Sequence, residues 1–250
     1  MLARCGMTRR EAMKGLAGGL AGSLMGRFGA AAAASHELSS FQADITPPLG
    51  HALMGGGITP AQRIADPLSA HGLVLRGSGL PVVLVSLDWC EVRNDAYDRW
   101  RTVLAKVVGT SKERVLLTCI HQHDAPVADL TAQRLLNESK AAGSICNLEF
   151  HETAVQRMAL ALQDSLRKSQ QVTHLGLGQA RVDRVASNRR YVGSDGKLLF
   201  NRTSATRDAG IREKPEGTVD PWLKTLSFWS GERPVLALCC YATHPMSYYG

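Results

Sequence analysis

The sequence lacks the dense run of basic residues that a nucleic-acid-binding surface requires. Its formal net charge is +7, but five of its 29 lysines and arginines lie in the first 34 residues, together with a single acidic residue. The remaining chain has 24 basic and 21 acidic residues, with no cluster that could follow a phosphate backbone. We therefore expect no nucleic acid among the partners of this protein.

The sequence also lacks an apolar run long enough to cross a membrane. Residues 15–25 are the apolar part of the N-terminal region, and they fall short of the roughly 20 residues that a spanning helix needs. They follow Thr8-Arg9-Arg10-Glu11-Ala12-Met13-Lys14 and precede the small residues 30–34. A cationic segment, a weakly apolar segment and a small-residue cleavage site, in this order, resemble a twin-arginine export signal.

We interpret residues 1–34 as this export signal and residues 35–250 as the mature domain. The alternative is an amphipathic first helix of the mature fold, but glycines at 15, 18, 19, 22 and 26 would weaken such a helix. The mature chain is expected to be periplasmic or extracellular and to have no transmembrane helix.

The cysteines cannot all pair within the mature chain. Cleavage near Ala34 leaves five of them, Cys90, Cys119, Cys146, Cys239 and Cys240, and an odd number leaves at least one unpaired. Cys239 and Cys240 are neighbours in a predicted strand, so their side chains point to opposite faces. None has the spacing of a zinc finger. We expect these residues to be mostly buried, small apolar side chains.

Hydrophobic patterns predict an α/β fold, a layered mixed sheet flanked by helices. Predicted strands are 70–75, 81–87, 114–120, 173–180, 224–229 and 234–241, with hairpin turns at Gly77-Ser78-Gly79 and at Gly231. Predicted helices are 95–108, capped by Asn94 and stopped by Gly109, then 127–139 and 148–168. Residues 182–221 are polar and are predicted to be irregular, as functional loops of this length often are.

The strand at 114–120 ends in the polar sequence His121-Gln122-His123-Asp124. Residues two apart on an extended chain face the same side, so His121 and His123 are expected to address one site. Asp124 and Asp129 lie close enough in the sequence to contribute. A lone histidine here would more often be a loop residue bonded to the backbone, but two imidazoles and a carboxylate at a strand end indicate a metal site.

The last predicted strand is likewise followed by a histidine, in the sequence Thr243-His244-Pro245. Ligands of layered α/β proteins gather at the carboxyl ends of strands, so two strands that each deliver a histidine there predict one shared ion. Neutral imidazole suits zinc, and a catalytic zinc keeps one position open for water. Taken alone, His244 could equally belong to a surface turn before proline.

Two more segments have both a structural and a functional interpretation. Pro47 and the proline after it exclude a helix, so they fix an extended path for Asp44 and Thr46, as in a rigid entry segment. Arg189 and Arg190 could be solvated, or could provide a planar fork of donors for an anionic intermediate.

Taken together, these motifs resemble the N-terminal catalytic region of neutral ceramidases, in which they occur in the same order. They are Ala43-Asp44-Ile45-Thr46-Pro47-Pro48-Leu49-Gly50, Ser86-Leu87-Asp88, His121-Gln122-His123, Asn188-Arg189 and Thr243-His244-Pro245. The resemblance spans about residues 41–250, and the order of several motifs is more specific than any single one.

The resemblance implies a zinc-dependent amidohydrolase that cleaves an N-acyl amide, such as N-acylsphingosine, into sphingosine and fatty acid. His121 and His244 match two of the family's zinc ligands, His123 would face the reacting carbonyl, and Arg189 would stabilise developing negative charge. The family's other ligands, a Glu and a Tyr, come later than Gly250, so residues 35–250 are expected to be a truncated N-terminal domain. The implied substrate is a small-molecule or lipid amide, which allows peripheral membrane contact.

One departure from the family leaves the substrate open. The family reads His-Thr-His-Ser-Gly-Pro where this chain has His121-Gln122-His123-Asp124-Ala125-Pro126, and Asp124 adds a negative charge beside the site. One alternative is an exported metallohydrolase for another amide or ester, such as a carbohydrate-linked or acylated cell-wall compound. The other is a noncatalytic secreted binding module on the same scaffold.

Overall fold

The structure is a computed structural model that describes residues 36–203 and 206–244. The predicted export signal and Pro245 lie outside the described residues. The strands are β1 His36–Asp44, β2 Ser69–Arg76, β3 Val82–Leu87, β4 Glu91–Val92, β5 Val115–Cys119, β6 Val127–Ala128, β7 Gln170–Val172, β8 His174–Arg181, β9 Tyr191–Val192, β10 Leu198–Leu199, β11 Trp222–Ser230 and β12 Arg233–Cys240. The helices are α1 Asn94–Val108, α2 Leu130–Glu138, α3 Leu148–Ser165 and α4 Ala209–Arg212, with 3₁₀ turns at Met54–Gly56, Lys112–Arg114 and Leu166–Lys168.

The first sheet is mixed, as predicted, and its strand order is β5-β3-β2-β1-β7. The pair β3–β5 is parallel, whereas β2–β3, β1–β2 and β1–β7 are antiparallel. Successive side chains alternate between the two faces of a strand. On β1, Leu38 therefore belongs to the core on one face of the sheet and Phe41 to the core on the other.

The helices α1 and α3 cover one face of this sheet, because each has the apolar stripe that the sequence predicts. Trp100 and Leu104 of α1 and Met158 and Leu162 of α3 are fully buried. Trp89, in the segment after β3, packs edge-on against Trp100 with 5.8 Å between ring centres. Burial of each such side chain stabilises the fold by about 1.5–3 kcal/mol.

The ends of α1 are set by one residue that was predicted and one that was not. Gly109 adopts φ 68° and ψ 42°, and its N–H donates to the carbonyl of Ala105, so the predicted stop is confirmed. The predicted cap at Asn94 is wrong. The capping residue is Arg93, and the Asn94 side-chain amide instead donates to Asp129 Oδ2 at 2.7 Å.

The helix predicted at 127–139 begins later than expected, at Leu130. Val127 and Ala128 form β6, which pairs in parallel with β4. Asp129 caps α2, since its Oδ1 accepts the backbone N–H of Ala132 at 3.0 Å. The two oxygens of this carboxylate thus accept hydrogen bonds from the first residue of α1 and from the first turn of α2, so Asp129 stabilises the start of both helices.

A second sheet, with strand order β12-β11-β8, packs on the face of the first sheet opposite the helices. Phe228 of this sheet is buried in one cluster with Leu38, Leu73 and Val172 of the first. The predicted hairpin is confirmed as β11 and β12, which pair antiparallel around Gly231 at φ 58°. Of the residues described between 182 and 221, only β9, β10 and α4 are regular, in agreement with the predicted irregular region.

The cysteines only partly match the expectation of burial. Cys90 and Cys146 are buried and Cys119 is half-buried, but Cys239 and Cys240, at the end of the edge strand β12, are exposed. All five cysteines that are described are free thiols. Among the described residues, no helix combines the length and the apolar character that a membrane span needs.

Candidate metal centre

The carboxyl ends of β3 and β5 bring two polar segments together. These strands are parallel neighbours, and Leu87 at the end of β3 lies opposite Cys119 at the end of β5. The segments that follow therefore leave the sheet at the same edge. The two are joined by their backbones, because Ile120 N–H donates to Leu87 O at 3.0 Å and His121 N–H donates to Trp89 O at 3.2 Å.

Three histidine rings meet at this edge. The ring centres of His121 and His244 are 5.1 Å apart, those of His121 and His123 are 5.2 Å apart, and those of His123 and His244 are 4.7 Å apart. Each pair meets edge to face, at interplanar angles of 78–90°. The structure therefore brings together the two strand-end histidines that the sequence analysis assigned to one ion, although β5 and β12 are far apart in the chain.

The spacing of the three rings fits a shared zinc ion. With zinc–nitrogen bonds of roughly 2.0–2.1 Å in a tetrahedral arrangement, two bound imidazoles have ring centres roughly 5 Å apart. The observed separations of 4.7–5.2 Å lie around this value. The donor set fits zinc in chemistry as well, since imidazole nitrogen is one of its usual ligands. The assignment of His121 and His244 as ligands remains a prediction.

His121 reaches this position through a left-handed backbone rather than as part of an extended strand. Its φ is 63°, and β5 ends two residues earlier, at Cys119. The expectation that His121 and His123 share a side of an extended chain is therefore wrong in its geometry, although the two rings do meet. A non-glycine residue in this region costs on the order of 1–3 kcal/mol, and such strain clusters at functional sites.

Cys90 and Glu91 were not predicted from the sequence, and both face His121. The His121 Nδ1 atom lies 3.2 Å from the Cys90 carbonyl oxygen, 3.6 Å from Cys90 Sγ and 3.6 Å from Glu91 Oε1. Glu91 also forms an ion pair with Arg93. The signal that could have found them is the parallel pairing of β3 with β5, because the residues just past Asp88 then lie beside His121.

Among the described residues, Cys90, His121 and His123 have ligand atoms that all lie within 4.8 Å of one another, and His244 is not part of this group. Burial and, to a smaller extent, the charge of Glu91 raise the pKa of the Cys90 thiol to about 11, and Arg93 acts in the opposite direction. The thiol is therefore protonated at neutral pH in the absence of a cation. Binding through this sulfur would require the ion to displace a proton.

His123 and His244 are held in the neutral form. Burial lowers the pKa of both imidazoles, and the neighbouring histidines and Arg189 lower it further. Asp124 acts in the opposite direction on His123. Neutral imidazole is the form that binds a metal or accepts a proton, so these surroundings favour both roles.

Arg189 lies beside the histidine cluster, with its Nη2 atom 3.4 Å from His244 Nδ1. Asn188 anchors this part of the irregular region: its backbone N–H donates to Glu216 O at 2.7 Å, and its side-chain oxygen accepts the N–H of Arg190 at 2.9 Å. Arg189 thus lies beside His244, and its role as a stabiliser of negative charge stays a prediction.

A cavity of about 810 Å³ opens beside Arg189 and His244. Its walls also include Arg202, Arg212 and Asp220, so three arginines and one carboxylate line it. Arg202 has a structural role as well, because its guanidinium donates to the carbonyl oxygens of Pro215 and Lys214. The cavity is positively charged and adjoins the candidate metal centre.

The segment with Asp44 and Thr46 has the structural role that its prolines indicate. Asp44 Oδ1 accepts the backbone N–H of Thr46 at 2.8 Å, and the Thr46 hydroxyl accepts the N–H of Leu68 at 2.8 Å. Arg157 of α3 donates to the carbonyl of Asp44 at 3.2 Å. These bonds fasten the end of β1 to the start of β2 and to the helix layer.

Fold and site together define a layered α/β domain with a histidine cluster at the carboxyl edge of its sheet. The solved structures that share this fold include neutral ceramidase from Pseudomonas aeruginosa, with a TM-score of 0.62 and 18% sequence identity over 84% of this chain. A structure of ceramidase complexed with C2 matches with a TM-score of 0.58 and 18% identity, again over 84% of this chain. The predicted resemblance in fold is confirmed.

The match covers about a third of those ceramidases, 32% of the first chain and 31% of the second. That residues 35–250 correspond to the N-terminal part of those ceramidases stays a prediction. No protein-family model and no curated protein sequence matches the chain.

Proposed function

We propose that this domain belongs to a zinc-dependent hydrolase that cleaves an N-acyl amide, as ceramidases do. The observation that carries the proposal is the convergence of three imidazoles, from the ends of β5 and β12, at spacings of 4.7–5.2 Å. The fold shared with solved ceramidases supports the same reaction class. Export to the periplasm or outside the cell, indicated by the twin-arginine sequence near the N-terminus, is part of this proposal.

Each residue of the cluster has a distinct role in this proposal. His121 and His244 would hold zinc, which, when bound, supplies Lewis acidity and activates water at neutral pH. His123 would accept the proton from the attacking water and return it to the leaving amine, a role that suits an imidazole kept neutral by its surroundings. Arg189 would donate to the negative oxygen that develops on the carbonyl, since a guanidinium stays charged and offers several donors.

Removal of the metal tests the proposal directly. We expect full-length protein treated with a chelator and dialysed to hydrolyse N-acylsphingosine roughly 100-fold more slowly or worse, since the metal contributes several kcal/mol to such reactions. One equivalent of Zn²⁺ should restore the rate, and Mg²⁺, which prefers oxygen ligands, should not. Metal-free protein that hydrolyses the substrate at the original rate would refute the proposal.

The arginine-lined cavity favours a second candidate, a metallohydrolase for an N-acyl amide or an ester that carries an anionic group. Ceramide is uncharged, whereas Arg189, Arg202 and Arg212 line the space next to His244. Arginine binds carboxylate and phosphate in a bidentate manner, and charged hydrogen bonds of this kind are about twice as strong as neutral ones. The positive cavity would therefore select an anionic substrate over a neutral one.

Paired substrates distinguish the two candidates. If the second is correct, we expect an N-acyl amino acid to be cleaved with kcat/KM about 10–150-fold higher than its methyl ester, which corresponds to about 1.5–3 kcal/mol for a charged hydrogen bond. Arg212→Gln should remove this preference by raising KM for the acid alone. Lys197→Gln removes the same charge from an exposed residue paired with Asp195, and it should leave the preference intact. Equal rates for acid and ester in the wild type would favour a neutral substrate.

A further inference from the structure

One nitrogen of His121 is surrounded by groups from the segment that follows β3. The Nδ1 atom faces the Cys90 carbonyl oxygen at 3.2 Å and Glu91 Oε1 at 3.6 Å. A carbonyl oxygen and an ionised carboxylate can only accept hydrogen bonds. The nitrogen between them is therefore best satisfied when it carries the hydrogen, and Nε2 is then left with its lone pair.

We propose that Glu91, held by Arg93, is a positioning residue that sets the tautomer and the orientation of His121, so that Nε2 is the atom that binds the metal. This inference rests on the proposed zinc site. Carboxylates and carbonyls commonly accept the second N–H of a metal-bound histidine, and they raise the basicity of the ligand as well as fixing its ring. Glu91 would act on the metal only through His121.

The backbone around Glu91 is well suited to hold its carboxylate in place. Glu91 begins β4, which pairs in parallel with β6, and the backbone N–H of Arg93 donates to Ala128 O at 2.8 Å. Arg93 contacts Glu91 Oε2, which leaves Oε1 toward His121. Because both residues are tied to β6 through the backbone, the Arg93–Glu91–His121 chain of contacts has a rigid base.

The left-handed backbone of His121 explains why its ring needs the contacts at Nδ1. At φ 63° the residue occupies a conformation that costs on the order of 1–3 kcal/mol. The backbone bond from His121 N–H to Trp89 O holds the main chain, but it leaves the ring free to rotate about its side-chain bonds. The contacts at Nδ1 fix that rotation, and they keep the Nε2 lone pair in one direction.

Cys90 offers a competing arrangement, in which its sulfur and His121 Nδ1 bind the same zinc ion. Its Sγ atom lies 3.6 Å from His121 Nδ1, and two ligands of one tetrahedral zinc with sulfur and nitrogen bonds of roughly 2.3 and 2.0 Å are roughly that far apart. Zinc at this position would need the lone pair on Nδ1, so the two arrangements exclude each other. Two of the three groups at Nδ1, the Cys90 carbonyl oxygen and Glu91 Oε1, can only accept, which favours the hydrogen on this nitrogen.

Zinc affinity measured by competition with a chromophoric chelator, in the full-length protein, tests the inference without relying on activity. We expect Glu91→Gln to weaken zinc binding about 10–100-fold, the usual range for loss of such a partner. The melting temperature of the metal-free protein should change little, because Glu91 is partly exposed.

Arg93→Met should also weaken zinc binding, and Arg93→Lys, which keeps the charge, should restore most of the lost affinity. Glu232→Gln, in the turn between β11 and β12, is the matched control.

Two results would overturn the inference. The first is zinc affinity in Glu91→Gln equal to that of the wild type. The second is a thiolate-to-metal charge-transfer band in the Co²⁺-loaded wild type that disappears in Cys90→Ser, since it would place the ion on the Nδ1 side. A wild type that binds no zinc would refute the proposed function itself, whereas tight binding that is insensitive to residue 91 would refute only the role of Glu91.

Discussion

His123→Ala is expected to retain zinc and to lose about 10²–10⁴-fold in kcat, the range for removal of a general acid–base group. His121→Ala and His244→Ala, in contrast, are expected to lose the metal and the activity together. The three rings lie 4.7–5.2 Å apart, so position alone does not separate these roles. Zinc content by elemental analysis, measured on the same samples as the hydrolysis of N-acylsphingosine, separates them.

A histidine outside the cluster provides the control for this experiment. His174, in β8, stacks on Trp229 with 5.9 Å between ring centres, and its replacement by alanine should change neither zinc content nor kcat. Loss of zinc in His123→Ala would show that His123 is itself a ligand. The proton transfer would then have to be assigned to another group, and the proposed division of roles would be wrong.

The meeting of His121 and His123 shows how far periodicity can predict a site. The sequence pattern correctly indicated a strand that ends just before two imidazoles, because strands end where buried apolar residues give way to polar ones. It predicted an extended path for the histidines, whereas His121 is left-handed at φ 63°. That conformation depends on a hydrogen bond to Trp89, which lies 32 residues earlier in the chain, and local patterns contain no information about such a bond.

The same limit explains why Glu91 was not predicted while Arg189 was. Arg189 belongs to a motif whose resemblance to neutral ceramidases suggested its role. Glu91 is an ordinary charged residue in sequence, and it becomes part of the site only because β3 and β5 are parallel neighbours. The predicted cap at Asn94 was wrong for a related reason, because the Asn94 side chain donates to Asp129, which lies 35 residues later in the chain.

The layering of the fold was predictable to the extent that it depends on amphipathic patterns. The apolar stripes of α1 and α3 identified the face that packs on the sheet, and Gly109 marked the end of α1. The sequence did not indicate that the other face is covered by a second sheet rather than by helices. That arrangement follows from Phe228 packing with Leu38 and Leu73, a contact between strands far apart in the chain.

Arg189→Ala is expected to lower kcat about 10²–10³-fold, the usual cost of removing one donor to a developing oxyanion. KM should change far less, because the charge on the carbonyl oxygen exists only in the transition state. Arg189→Lys should recover part of the loss, since an ammonium keeps the charge but lacks the planar fork. The measurement is steady-state hydrolysis of N-acylsphingosine by zinc-loaded, full-length protein.

Arg190 is the matched control, because it is the adjacent residue and its guanidinium lies over the ring of Phe200, 5.5 Å from the ring centre. Arg190→Ala should therefore leave kcat unchanged. A rise in KM alone for Arg189→Ala would show that Arg189 binds the ground state of the substrate and not the oxyanion. Since Arg189 also lines the positively charged cavity, that result would shift support from a ceramide-like substrate to an anionic one.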